Sequence, residues 1–183
     1  MADGFMRDDG GRTGAGFKGI AGDCVARAVA IASERPYAEV YAALSAGQGS
    51  QRASKRTKRR TASARNGVNT TRKWFKDYMV GLGFAWVPTM AIGAGCRVHL
   101  DAAELPEGRL VVVVSGHYTT MIDGVIHDTY DPRREGAWYS EPDTGQALKA
   151  GQTRNINGVW TQSGGRCVYG YWMLGTPASK VAA

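Results

Sequence analysis

The sequence predicts an α+β domain, with helices first and an antiparallel sheet after them. Three stretches carry that expectation. Residues 24–33 place Val25, Ala28, Val29 and Ala32 at the i, i+3, i+4, i+7 spacing of a helix with one face on a core. Leu110–Val114 is an unbroken apolar run suited to a strand buried on both faces. Asp123-Gly124, between two strand-like segments, is the dipeptide most diagnostic of a two-residue hairpin turn.

The elements follow in order. Residues 1–21 are glycine-rich with few large apolar side chains. They read as a lead-in, flexible over 1–16 and laid along the domain near Phe17 and Ile20. Gly22 and Asp23 punctuate the chain before the first helix, and Asp23 suits the N-cap, its carboxylate accepting from first-turn N–H groups. Glu34-Arg35-Pro36 ends that helix, and Pro36 suits the start of a second over Tyr37–Ala46, with Val40, Tyr41 and Leu44 inward. Residues 47–67 are a polar, basic loop. A third helix is expected over Thr70–Gly81, capped by Thr70 or Thr71 and apolar along Trp74, Phe75, Tyr78 and Met79.

The pattern then turns to strands. FAWVPT reads as a strand ending at Pro88, Cys96–Leu100 as another short element, and Leu105–Gly108 as a turn. Leu110–Val114, His117–Ile122 and Val125–Tyr130 are the central strands. Asn157–Thr161 and Arg166–Leu174, split by Ser163-Gly164-Gly165, read as a second hairpin, and residues 176–183 as a fraying tail. The whole, 1–183, reads as a single domain.

Composition narrows the class. Of 183 residues, 43% are apolar and 21% charged, as in ordinary globular proteins, and no apolar run reaches the ~20 residues of a membrane span. The N-terminus has acids and glycines where a signal peptide needs a basic start and an apolar core, so a cytoplasmic location is expected. The net charge of +7 is local. Between Gly47 and Arg65 lie Arg52, Lys55, Arg56, Lys58, Arg59, Arg60 and Arg65 with no acid, and the remaining 16 basic residues match the 16 acidic ones. Cys24, Cys96 and Cys167 are odd in number and scattered, which fits neither a disulfide framework nor paired zinc ligands. Reduced thiols are the expectation.

The chemistry is sought at Cys24. At the first position of a helix, the partial positive charge of the helix end favours a thiolate over a thiol. Arg27 lies one turn on and can pair with a carboxylate nearby. The hairpin supplies a base and an orienting group. With Asp123 and Gly124 as the turn, Ile122 faces Val125 and His117 faces Tyr130. His117, Thr119 and Met121 then share a face with Tyr130, Asp128 and Ile126, so Asp128 is a diagonal neighbour of His117 while His127 and Asp131 point away. Gly116 removes a side chain where a substrate backbone would approach. Cysteine, histidine and acid are the parts of a nucleophile–base–orienter triad.

The order of these parts resembles the papain-like cysteine peptidase fold. The likeness is nearest to the compact bacterial branch that trims leader peptides after double glycine. GDCVARAVAIA with GHYTTMIDGVIHDTYDP is also similar to small bacterial and phage-encoded proteins that look like this fold; the likeness covers roughly residues 17–132. It implies a thiol protease with Cys24 as nucleophile, His117 as base and Asp128 as orienting acid, acting on a peptide or protein substrate. Asp131-Pro132 is a competing match for the acid, which the hairpin register disfavours. Those peptidases carry a glutamine about six residues before the cysteine as an oxyanion donor; here that position is Lys18. Lys18 itself or the Cys24 backbone N–H, beside Asp23, are the substitutes on offer, and loss of one good donor costs about 10²–10³ in rate.

Other chemistries are thinner. His99, His117, His127 and Cys96 have no metal-ligand spacing, phosphate-loop motifs are missing, and no cofactor is expected. Trp138, Tyr139, Trp160, Tyr169, Tyr171 and Trp172 read as core and sheet-face residues. The alternative to a hydrolase is a catalytically inactive fold serving as a binding protein. In it the basic loop, Arg52 to Arg60 above all, holds nucleic acid or an acidic partner in a salt-sensitive way.

Overall fold

The computed structural model describes residues 4–51, 62–93, 95–133, 153–156, 159–162 and 166–175. Three helices, α1 (Cys24–Ser33), α2 (Tyr37–Gly49) and α3 (Lys73–Gly81), pack on a six-stranded mixed sheet. Its strands are β1 (Gly4–Arg7), β2 (Phe84–Pro88), β3 (Arg109–Val114), β4 (His117–Ile122), β5 (Val125–Asp128) and β8 (Val168–Leu174). Their spatial order is β1-β5-β4-β3-β8-β2. A separate ribbon pairs β6 (Thr153–Ile156) with β7 (Val159–Gln162).

The hairpin register is the expected one: Ile122 pairs with Val125, Met121 with Ile126 and Thr120 with His127. Asp123 and Gly124 both take positive φ, 47° and 82°, as a two-residue turn of this kind needs. The Asp123 carboxylate also accepts the Gly108 N–H at 2.9 Å, tying the turn to the start of β3. β3 is the centre of the sheet, with Leu110, Val111 and Val112 fully buried. Val111 faces the helices, whereas Leu110, Val112 and Val114 join Met121, Ile126, Leu100 and Leu105 in a core on the opposite face.

α1 is buried beyond its expected stripe, because Ala26, Ala30 and Ile31 are covered as well. It lies between α2 and strands β3 to β5. Its small side chains allow close approach: the Thr120 hydroxyl donates to the Ala28 carbonyl at 2.8 Å. The far end is held by Arg109, whose guanidinium donates to the carbonyls of Ile31 (2.6 Å) and Ala32 (2.8 Å), groups a helix end otherwise leaves unpaired.

Several expectations are corrected. Part of the stretch read as flexible, residues 4–7, forms β1, parallel to β5, so the sheet is mixed rather than purely antiparallel. The second hairpin does not form as read. β7 pairs with β6, while β8 enters the main sheet between β3 and β2, because its buried Val168 and Trp172 complete the two cores. α2 runs on to Gly49, and α3 starts at Lys73 with Arg72 as N-cap and no side-chain cap, so neither Thr70 nor Thr71 caps it. β5 ends at Asp128. The basic residues Arg52, Lys55, Arg56, Lys58, Arg59 and Arg60, the tail 176–183, Trp138 and Tyr139 lie outside the described residues.

The thiols are also corrected: Cys96 and Cys167 form a disulfide with Cα atoms 5.8 Å apart, leaving Cys24 free. A sequence separation of 71 hid the pair. It is set by His99 bridging to Cys167 and by Val168 N–H donating to the Val98 carbonyl. Closing a loop of 71 residues is worth about 4 kcal/mol in the chain-entropy account of cross-links. Urea denaturation should therefore give a lower midpoint under reductant, and Cys167→Ser should give that lower midpoint with or without reductant. Coincident curves for the oxidised and reduced native protein would show that the bridge contributes nothing.

Candidate active site

The Cys24 thiol meets the His117 ring at the N-terminal end of α1. His117 follows the two-residue turn Ser115-Gly116, in which Val114 pairs directly with His117. Gly116 takes φ 66°, and a side chain there would meet open space, so the cleft beside the cysteine is unobstructed at this point. The turn is anchored from outside: Arg166 donates to the Ser115 carbonyl and, at 3.2 Å, to that of Pro132.

His117 Nε2 lies 2.7 Å from Asp128 Oδ2, and both residues are buried. The other Asp128 oxygen accepts the Thr129 N–H at 2.7 Å, fixing the carboxylate. Asp131, the competing acid, is paired with Arg133 at 2.7 Å and its carboxyl lies below the usual range for that reason, despite burial pushing it up. Asp128, the acid that shares a face with His117 in the hairpin register, is thus the one that touches the ring. With Nε2 held by Asp128, Nδ1 is the nitrogen left for the sulfur. The Tyr130 hydroxyl lies 3.4 Å from Nδ1, and its ring packs on the imidazole with centroids 5.2 Å apart.

The electrostatics favour an ion pair. Burial pushes the Cys24 thiol up, but its hydrogen bonds to His117 and to the Tyr118 N–H, with the charges of His117 and Arg27, outweigh burial and hold it below its ordinary value. Burial alone would lower His117; hydrogen bonds and charges from Asp128 and Cys24 raise it to about 9. The two shifts are those of a thiolate beside an imidazolium.

Asp23 does not cap α1 with its side chain. Its carboxylate, 1% exposed, instead accepts from Arg12 Nε at 2.7 Å, Arg27 Nη1 at 2.6 Å and the Tyr37 hydroxyl. Arg27 thus finds its carboxylate one residue before the cysteine. Arg12 also donates to the carbonyls of Phe17, Lys18 and Gly19, which folds the preceding loop against the helix entrance. The side chain of Lys18, the oxyanion candidate, is exposed and is not among the residues that line the cleft, and Arg12 donates to its backbone carbonyl. The Cys24 backbone N–H, without a partner among the described residues, is the donor that remains beside the sulfur.

A cleft of about 610 Å³ opens at the sulfur. Val68, Trp86, Tyr118, Tyr169 and Trp172 wall it, and Thr70, Thr71, Lys76 and Gly116 complete its rim. Among the described residues no group of three or more His, Cys, Asp or Glu side chains could hold a metal. Sequence reasoning did not assign roles to Tyr130, Arg12, Tyr37 or the cleft aromatics. Tyr130 alone had a usable signal, since the hairpin register puts it opposite His117.

Iodoacetamide alkylation of Cys24 should stay fast at pH values below the ordinary thiol range, with a second inflection near pH 9 where His117 loses its proton. Asp128→Asn should move that inflection down by about 1–3 pH units. The linkage has the matching sign. A folded value of about 9 against 6.5 gives stability fully present below 6.5 and lost as pH rises through 9. An inflection unmoved in Asp128→Asn would show that the carboxylate does not act on the ring.

No protein-family model, no curated protein and no solved structure matches the chain.

Proposed function

We propose that the chain is a papain-like cysteine hydrolase, a peptidase or amidase working through a thioester. One observation carries the reading: a buried imidazole hydrogen-bonded to Asp128 lines the same cleft as a free thiol at a helix start. The Cys24 thiolate attacks a substrate carbonyl carbon, forming the C–S bond and moving an electron pair onto oxygen, where the Cys24 N–H donates. Collapse breaks the C–N bond as the His117 imidazolium gives its proton to the leaving amine. Water then attacks the thioester while His117 takes its proton; the C–S bond breaks and the thiolate–imidazolium pair is restored. Asp128 keeps the ring in its orientation throughout. The basic stretch 47–65 serves in this reading to recruit an acidic substrate.

The test is a peptide-amide library followed by mass spectrometry of the products. The native protein should release new termini, and Cys24→Ala and His117→Ala should each lower the rate by about 10⁴ or more. Cleavage that persists in Cys24→Ala would end the proposal.

A further inference from the structure

The cleft at Cys24 has an unbalanced charge. Apart from the Cys24–His117 pair, Lys76 is the one charged side chain that lines it among the described residues, and among these no carboxylate lines it. The Lys76 ammonium is exposed and has no hydrogen-bond or ion-pair partner among the described residues. The nearest acid on α3, Asp77, is occupied by Lys73 at 2.7 Å. One of the cleft's two threonines is already engaged: the Thr71 hydroxyl donates to Asn69 at 2.7 Å. The rest of the wall is apolar and aromatic, with Trp86 packed on Trp172 at 5.2 Å between ring centroids and itself 42% exposed.

We infer that the cleft selects an acidic peptide, with an apolar or aromatic residue seated on Trp86 and a carboxylate reaching Lys76. This inference rests on the hydrolase reading for the identity of the reacting bond, but the recognition itself needs only the cleft. An apolar wall supplies attraction without direction, and an unpaired cation at its edge supplies the choice between partners. A carboxylate placed there gains the ammonium, whereas a basic side chain at the same position meets repulsion from Lys76. Lys76 is then a specificity-determining residue, remote from the proton transfers.

The experiment uses full-length protein and peptides carrying one aromatic residue, with Glu, Gln or Lys walked through the positions preceding the cleaved bond. At one position Glu should exceed Lys by about tenfold in kcat/KM, mostly through KM. Lys76→Met should remove that preference and Lys76→Glu should invert it. In parallel, the same peptides are titrated into Cys24→Ala, and binding is read from the emission of the cleft tryptophans. Glu peptides should bind more tightly than Lys peptides, the difference should shrink with salt, and it should vanish in Cys24→Ala/Lys76→Met. Cleavage whose Glu-to-Lys ratio is the same in native protein and Lys76→Glu would overturn the inference and leave the hydrolase standing. Binding that follows Lys76 with no cleavage by the native protein would support the inference and remove the hydrolase. Neither binding nor cleavage of any peptide would remove both.

Discussion

A carboxylate with almost no contact with water sits one residue before the free thiol, and the site's geometry depends on how its charge is answered. Asp23 ties together three parts of the chain that also share one core: Arg12 from the N-terminal loop, Arg27 from α1 and Tyr37 from α2. An isolated ion in such a place is costly, and removing one partner of a buried pair is more damaging than exchanging both for apolar groups. The network thus holds the loop, the helix entrance and the second helix together. The Tyr37 hydroxyl registers the same setting, its ionisation pushed far up by burial and by Asp23. Arg109 fastens the other end of α1, so the helix that carries Cys24 is held at both ends.

Against that fixed helix, the second half of the site comes in on a hairpin whose geometry is local. The Ser115-Gly116 and Asp123-Gly124 turns place β4 between β3 and β5 with no freedom in register. That is why the contact between His117 and Asp128 could be worked out from residue order alone. Strand parity is a short-range property, and a one-residue slip would have sent Asp128 to the other face. The stripe of α1 was legible for the same reason.

What was not legible is long-range. Gly4–Arg7 has neither length nor alternation to mark it as a strand, and it becomes one by pairing with β5. β8 reads as half of a hairpin because Ser163-Gly164-Gly165 precedes it, yet its partners are β3 and β2, chosen by burial of Val168 and Trp172. The Cys96–Cys167 bridge has no spacing signature at all. Asp23 has the composition of an N-cap, and only the tertiary arrival of Arg12 and Tyr37 draws its carboxylate elsewhere. Lys18 occupies the expected place in sequence, yet its exposed side chain is not among the residues that line the cleft.

The parallel pairing of β1 with β5 affects how the site is assembled in time. The hairpin bearing the imidazole and its acid closes over a two-residue turn. The acid's backbone is clamped from a chain position 120 residues away, where Asp8, just after β1, donates its N–H to the Asp128 carbonyl at 2.8 Å. Contacts of that span form late, since closing the intervening chain comes before any reward for the pairing. The pairing that steadies the backbone of Asp128 is therefore a late contact of the fold, made after the local hairpin that carries His117.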